Sequence, residues 1–101
     1  MQQYSFEAGL VAGESGISLD EAQRLVQDWL PRVGEPIERQ IAAAERAAAI
    51  SEILRRKAEN LAEAGEIPFS EKAWRFASAF RKISHLAQRE VEIMREAMKM
   101  K

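Results

Sequence analysis

Apolar residues recur at intervals of three and four along most of the chain, the spacing that places them on one face of an α-helix. In residues 18–33 such a face is formed by Leu19, Ala22, Val26, Trp29 and Val33. Ser18 and Glu21 stand at the two positions of a capping box, in which each side chain accepts from the other residue's backbone N–H. Pro31 is expected to kink or stop the helix near its end. The pattern predicts an amphipathic helix over residues 18–33.

Two longer segments lack helix breakers in their interiors. Residues 36–64 begin with Pro36, which suits a first helical turn, are rich in alanine and precede Gly65, a natural helix stop. Residues 70–101 begin with Ser70 as the expected N-cap, and Phe69 and Trp74 hold the positions of a hydrophobic staple. At 1.5 Å per residue, the helical residues 37–64 and 71–100 span about 42 and 45 Å. Matched lengths and a short connection predict a long antiparallel helical hairpin.

The apolar stripes of these two helices are wider than one helix contact needs. The last helix has a seven-residue repeat at Ala73, Ala77, Phe80, Ser84, Ala87, Val91, Met94 and Met98, widened by Phe76, Ile83, Leu86, Ile93 and Ala97. The middle helix has a stripe, interrupted by Lys57, at Ala43, Ala47, Ile50, Leu54, Leu61 and Ala64. Because large exposed apolar patches usually mark interaction sites, we expect a second copy to complete a dimeric four-helix core. A monomeric three-helix bundle is the alternative.

The N-terminal segment, residues 1–17, has two interpretations. Its apolar residues, Tyr4, Phe6, Leu10 and Val11, fit one face of a short helix. Glycines at positions 9, 13 and 16 each weaken such a helix by about 1 kcal/mol relative to alanine. The segment is therefore a short helix or a partly docked arm. With the three helices that follow, it makes residues 1–101 a single all-α domain.

Composition excludes several classes of protein. The chain has 101 residues, of which 47% are apolar and 31% charged, with a formal net charge of −1, so it is neither a disordered tail nor a globally basic nucleic-acid coat. It has no cysteine, which excludes disulfides, Cys-ligated zinc and iron–sulfur clusters. It has no signal-peptide pattern and no apolar run near the ~18 residues of a membrane span. We expect a cytoplasmic protein that does not contact membranes.

The chemical groups of the chain do not assemble into a recognisable catalytic set. His85 is the single histidine, and its helical neighbours are Arg81, Lys82, Gln88 and Arg89, none of which is the carboxylate that a nucleophile–base–acid relay needs. The carboxylate pairs Glu59/Glu63 and Glu92/Glu96 are typical of solvated helix faces. We therefore expect no catalytic residue, no metal and no cofactor. A helical-bundle enzyme with an Arg-lined anion pocket is a distant alternative.

Basic residues lie at helical spacing on the last helix, at Arg75, Lys82, His85 and Arg89. Residues 41–101 carry twelve Lys/Arg and nine Asp/Glu, whereas residues 1–40 carry three and seven. Because aromatic residues and arginine are favoured at interface hot spots, the predicted partner contacts are Trp74, Arg75, Phe76, Lys82 and Arg89. The leading hypothesis is a non-catalytic protein–protein interaction module, a small regulator, adaptor or inhibitor that binds a macromolecular partner.

Residues 11–26 resemble the helix-turn-helix of bacterial repressors. The matching positions are Ala12, Gly16, Ile17, Ser18, Ala22 and Leu25. The resemblance implies a dimeric DNA-binding regulator in which the long hairpin clamps the dimer. Its recognition helix would present Leu19, Asp20, Glu21, Gln23 and Arg24, and the DNA contacts that it implies are Ser18, Gln23 and Arg24. Nucleic acid is thus the alternative partner.

Overall fold

A computed structural model describes residues 5–32 and 34–100, and this part of the chain contains four α-helices and no strand. The helices are α1 (Phe6–Ser15), α2 (Leu19–Trp29), α3 (Ile37–Glu63) and α4 (Ile67–Lys99). The prediction of an all-α chain is confirmed. Tyr4 and Val33, which the sequence assigns to apolar faces, lie outside the described residues, as does the last residue of the predicted 70–101 helix.

The N-terminal helices are short and sharply bounded. The Ser5 hydroxyl accepts from the Ala8 N–H at 3.1 Å at the start of α1. Gly16 ends α1 at φ 74°, a left-handed conformation that glycine adopts without steric cost. The capping box of α2 is confirmed, since the Ser18 hydroxyl accepts from the Glu21 N–H at 3.1 Å and the Glu21 carboxylate accepts from the Ser18 N–H at 3.2 Å.

Two predicted helix ends differ from the structure. The predicted 18–33 helix ends at Trp29, because Pro31 disfavours the helical conformation of the preceding residue and Leu30 is extended. The assignment of Ser70 as an N-cap is wrong, and the staple assigned to Phe69 and Trp74 is lost with it. Helix α4 begins three residues earlier, with a proline in its first turn, where no N–H is needed.

Helices α3 and α4 pack against each other in opposite directions, and three serines join them. The side-chain hydroxyls donate to backbone carbonyls of the opposite helix, Ser51 to Ala77 at 2.7 Å, Ser70 to Ala58 at 2.7 Å and Ser84 to Ala44 at 2.8 Å. Within each helix these positions are seven residues apart, and every pair joins a serine to an alanine. Only small side chains let the two backbones come close enough for these bonds. We call these three pairs the serine seam.

Helices α1 and α2 cover one flank of the hairpin. Val11 and Ile83 are completely buried in the shared core, which also contains Ala8, Ile17, Ala22, Ala47, Ala79 and Phe80. The Trp29 ring meets the Phe80 ring edge to face, with 5.1 Å between their centroids. Phe76 and Leu86, which widen the apolar stripe of α4, pack against this core. Part of the surplus apolar surface is therefore buried within one copy of the chain.

Each of the four helices in the described part of the chain is too short or too polar to span a bilayer.

Candidate interaction surface on the open flank of the hairpin

The flank of the hairpin opposite α1 and α2 has no helix packed on it in the described structure. Ala43 and Ile50 each precede a seam position of α3 and pack on the flank that α1 and α2 cover. Residues on the opposite side of the serine seam therefore face away from α1 and α2. A crevice on that side is lined by residues of both helices, including Ile41 and Gln88. We call this surface the open flank, and define it by Ile41, Ala48, Arg55 and Ala62 of α3 and Ile67, Trp74, Arg81 and Gln88 of α4.

The five predicted partner contacts do not form one surface. Trp74 lies on the open flank with 41% of its surface exposed. Phe76 lies on the other side of α4 and packs against the core beneath α1 and α2. Arg75, Lys82 and Arg89, each seven residues apart, form a ridge on the side of α4 that faces away from α3. The structure therefore places Arg75, Lys82 and Arg89 in a line next to Trp74, whereas Phe76 packs against the core and is not part of this surface.

The middle of α4 is strongly basic. Residues 72–89 contain five Lys/Arg and one His but no Asp or Glu, over about 27 Å of helix. Lys82 donates to Glu14 of α1 at 2.9 Å. Within the described part of the chain, Arg75, Arg81 and Arg89 have no ion-pair partner. Exposed, unpaired guanidinium groups on one helix favour an acidic partner.

An acidic row runs along α3 beside the open flank. Glutamates recur every seven residues at positions 38, 45, 52 and 59, and all four are exposed. Sequence reasoning missed this row, although its seven-residue spacing is visible in the sequence, because it considered only Glu59, in the pair Glu59/Glu63, as part of a solvated face. Beside the open flank, therefore, α3 has an acidic row, whereas the middle of α4 is basic.

Arg55 holds part of the acidic row in place. Its guanidinium donates to Glu52 at 2.6 and 3.0 Å and also pairs with Glu59 one turn further on. The hydrogen bond from Arg55 lowers the pKa of Glu52 to about 2, and the same pairing raises the pKa of Arg55. Such exposed pairs contribute little to stability, but here they order the carboxylates along α3.

The open flank also offers apolar contacts at both ends. Near the loop, Ile67 and Trp74 are 48% and 41% exposed and lie seven residues apart on one face of α4. At the other end a crevice of about 260 Å³ is lined by Ile41, Ala44 and Val91, together with the polar and charged side chains of Glu45, Gln88, Glu92 and Arg95. Both ends therefore offer apolar contacts, and charged side chains lie beside those at the crevice.

The helix-turn-helix positions have mixed accessibility. Arg24 is exposed on α2, but Gln23 is only 8% exposed and its side-chain oxygen accepts from the Ser5 N–H at 3.1 Å. The Ser18 hydroxyl accepts from the Glu21 N–H in the helix cap. The backbone N–H of Ser18 donates to the Glu21 carboxylate, and this hydrogen bond lowers the pKa of Glu21. Of the three residues proposed to contact DNA, only Arg24 has a free side chain.

The structure also has a second crevice, of about 280 Å³, where α2 meets α3. Arg39 and Arg46 line it, but so do Asp28 and Glu35, and the Glu35 carboxylate lies 3.5 Å from Arg39. The carboxylates offset the positive charge that an anion pocket requires. Among the described residues, no group of three His, Asp or Glu side chains is arranged to hold a metal ion.

Comparisons with known proteins found no family model, no curated protein and no solved structure that matches the chain. A function is therefore inferred from the chemistry of the surface alone.

Proposed function

We propose that the protein is a non-catalytic protein–protein interaction module that binds an acidic helical partner along the open flank and the adjoining basic ridge of α4. The observation that carries this proposal is the stretch 72–89, which has five Lys/Arg and no carboxylate. In this role the protein acts as a small regulator, adaptor or inhibitor by occupying the surface of its partner.

A helix is the element that fits this surface. Two antiparallel helices form a groove between them, and on the covered flank side chains of α1 and α2 share a core with both helices. From Trp74 to Val91 the open flank extends about 25 Å, the length of a helix of some 17 residues. Apolar side chains near the ends of such a helix would reach Trp74 and the crevice at Ile41, as in other helix-in-groove complexes.

The charge pattern favours a protein over nucleic acid. A phosphate backbone is uniformly negative, and the acidic row on α3, with Glu45 and Glu52, lies beside the basic half of the flank. Residues 5–32 add five Asp/Glu against two Arg. A helix whose charges alternate between its faces satisfies both halves of the flank, because it meets basic α4 with its acidic side and acidic α3 with its basic side.

The proposal is tested by calorimetric titration with an 18-residue helical peptide that has a glutamate stripe on one side. A peptide with lysine in place of each glutamate is the control. Binding of the glutamate peptide is expected to weaken at least tenfold in Arg81→Glu, a loss of about 1.4 kcal/mol, and to remain in Arg24→Glu, a matched reversal on α2. Equal binding of both peptides, or equal effects of both reversals, would contradict the proposal.

DNA binding through α1 and α2 is the second candidate, because the left-handed Gly16 and the capped α2 reproduce the resemblance to a helix-turn-helix. It predicts binding of a mixed set of duplex DNA fragments at low salt that weakens in Arg24→Ala. Duplex binding that depends on Arg24, together with failure to bind the glutamate peptide, would replace the first proposal by this one.

A further inference from the structure

We propose that the acidic partner is a second copy of this chain, bound by its open flank with the twofold axis parallel to the hairpin. This inference rests on the proposed function and names the occupant of the same surface. It starts from the observation that the chain carries both halves of the required charge pattern, an acidic row on α3 and a basic stretch on α4.

The charge pattern selects one twofold axis. When two open flanks face each other about an axis parallel to the helices, α3 of each copy lies on α4 of the other. The middle of the acidic row, Glu45 and Glu52, then meets the basic stretch in both symmetry-related contacts, as an isologous interface requires. An axis across the helices, in the plane between the two copies, would instead place α3 on α3, with glutamates facing glutamates. Like charges in that arrangement oppose association.

The parallel axis also matches the charges in height along the hairpin. The serine seam shows that residues at the same height on α3 and α4 have numbers that add to 128. Rotation about the parallel axis preserves height, so the same relation holds between copies. Glu45 of one copy then lies at the height of residue 83 of the other, between Arg81 and His85. The matched charges lie in the middle of the hairpin, because Glu38 falls at the height of Glu90, beyond the basic stretch.

The exposed tryptophan of each copy meets α3 of the other copy in this arrangement. Trp74 of one copy lies at the height of Leu54 of the other, where Arg55 is the open-flank residue of α3. An arginine against an indole face is a favourable cation–π contact. Ala48 and Ala62 lie one heptad to each side of Arg55 and are exposed, and Glu52 and Glu59, which pair with Arg55, lie between them. The tip residue Ile67 comes to the height of Leu61, beside Ala62.

Two charge reversals test the inference by sedimentation equilibrium. Neither Glu45 nor Arg81 has an ion-pair partner in the described structure, so reversing either leaves the ion pairs within each copy intact. In a homodimer of Glu45→Lys, or of Arg81→Glu, both symmetry-related contacts join like charges. In a mixed dimer of the two variants both contacts join opposite charges again. Arg24→Glu on α2 is the matched control.

We expect the unmodified chain and the Arg24→Glu control to dimerise at about 100 μM or below, and each open-flank variant to dimerise at least tenfold more weakly. An equimolar mixture of Glu45→Lys and Arg81→Glu should recover the affinity of the unmodified chain. A monomeric unmodified chain at that concentration overturns the inference, and so does dimerisation unaffected by either reversal. If the chain is monomeric yet binds the glutamate peptide, the proposed function stands and only the identity of the partner is wrong. If it is monomeric and binds no peptide, both fail.

Discussion

The serine seam makes a quantitative prediction about the hairpin. In Ser84→Ala the hydroxyl that donates to the Ala44 carbonyl at 2.8 Å is lost from a site where Ser84 is only 2% exposed. The Ala44 carbonyl lies inside α3 and keeps its helical partner, so no buried group is orphaned. The expected loss is the net value of one hydrogen bond, about 0.5–1.5 kcal/mol. Alanine has a higher helix propensity than serine, which offsets up to about 0.5 kcal/mol of this loss.

Ser78→Ala is the matched control, because Ser78 is exposed on the same helix of a single copy and, at protein concentrations too low for two copies to associate, reports the propensity gain alone. The difference between Ser84→Ala and Ser78→Ala isolates the hydrogen bond, and we expect about 1 kcal/mol. The three seam serines are about 10 Å apart along the helices, so their effects should add, and the triple alanine variant should lose about 3 kcal/mol relative to three such controls.

The measurement is urea unfolding followed by circular dichroism at one fixed protein concentration. For a domain of this size, 1 kcal/mol corresponds to a shift in Tm of about 4–8 °C, so thermal melts provide a second readout. Ser84→Leu should be worse than Ser84→Ala, because a large side chain forces the close-packed backbones apart, at a cost of about 1–3 kcal/mol or more. Equal stabilities of Ser84→Ala and Ser78→Ala, or tolerance of Ser84→Leu, would refute the role assigned to the seam.

Three further outcomes follow from the structure. Ile83→Ala, in a completely buried side chain, should reduce the free energy of unfolding by about 2–5 kcal/mol in the same urea assay, and a loss below about 1 kcal/mol would show that the core is not closed there. Gly16→Ala should destabilise the fold by about 1 kcal/mol, because Gly16 has a φ of 74°. Gly13→Ala should stabilise the fold by about 0.5–1 kcal/mol, because Gly13 lies inside α1 with open space around it. The opposite order of stabilities would contradict the left-handed turn at Gly16. Arg55→Ala should return the pKa of Glu52 from about 2 towards 4.5 in a carbon-detected NMR titration, and an unchanged pKa would exclude the ion pair. Because the pairing lowers the pKa of Glu52 in the folded state, its contribution to stability exists above pH 4.5 and is lost as the pH falls towards 2.

Local signals in the sequence predicted the helices well. The capping box at Ser18 and Glu21 depends only on neighbouring residues, and it is present. The lengths of α3 and α4 follow from the absence of breakers. The start of α4 was misplaced because Pro68 was treated as part of the connection, although proline fits a first helical turn. Its misassigned cap, Ser70, is used for a contact between helices that no local pattern describes.

Tertiary contacts determine the features of the fold and of the candidate surface that the sequence did not predict. The glycines of α1 make it a weak helix in isolation, but burial of Val11 against α4 holds it in place, so packing overrides propensity. Periodicity identified Phe76 as apolar, but only the docking of α1 and α2 determines that it faces the core rather than a partner. The acidic row is visible in the sequence, yet its relation to Arg81 depends on the helix register that the serine seam establishes.

The most direct measurement of the proposed assembly is disulfide formation between two singly substituted chains, because the chain itself has no cysteine. Ala48→Cys places a thiol on the open flank of α3, and Ser78→Cys places one at nearly the same height on α4 of the other copy. Because a disulfide requires Cα atoms within about 7 Å, the mixed bond reports α3 packed on α4. The account predicts that an oxidised equimolar mixture forms mainly the mixed disulfide. Absence of that species, or a predominance of Ala48→Cys chains linked to one another, would contradict it.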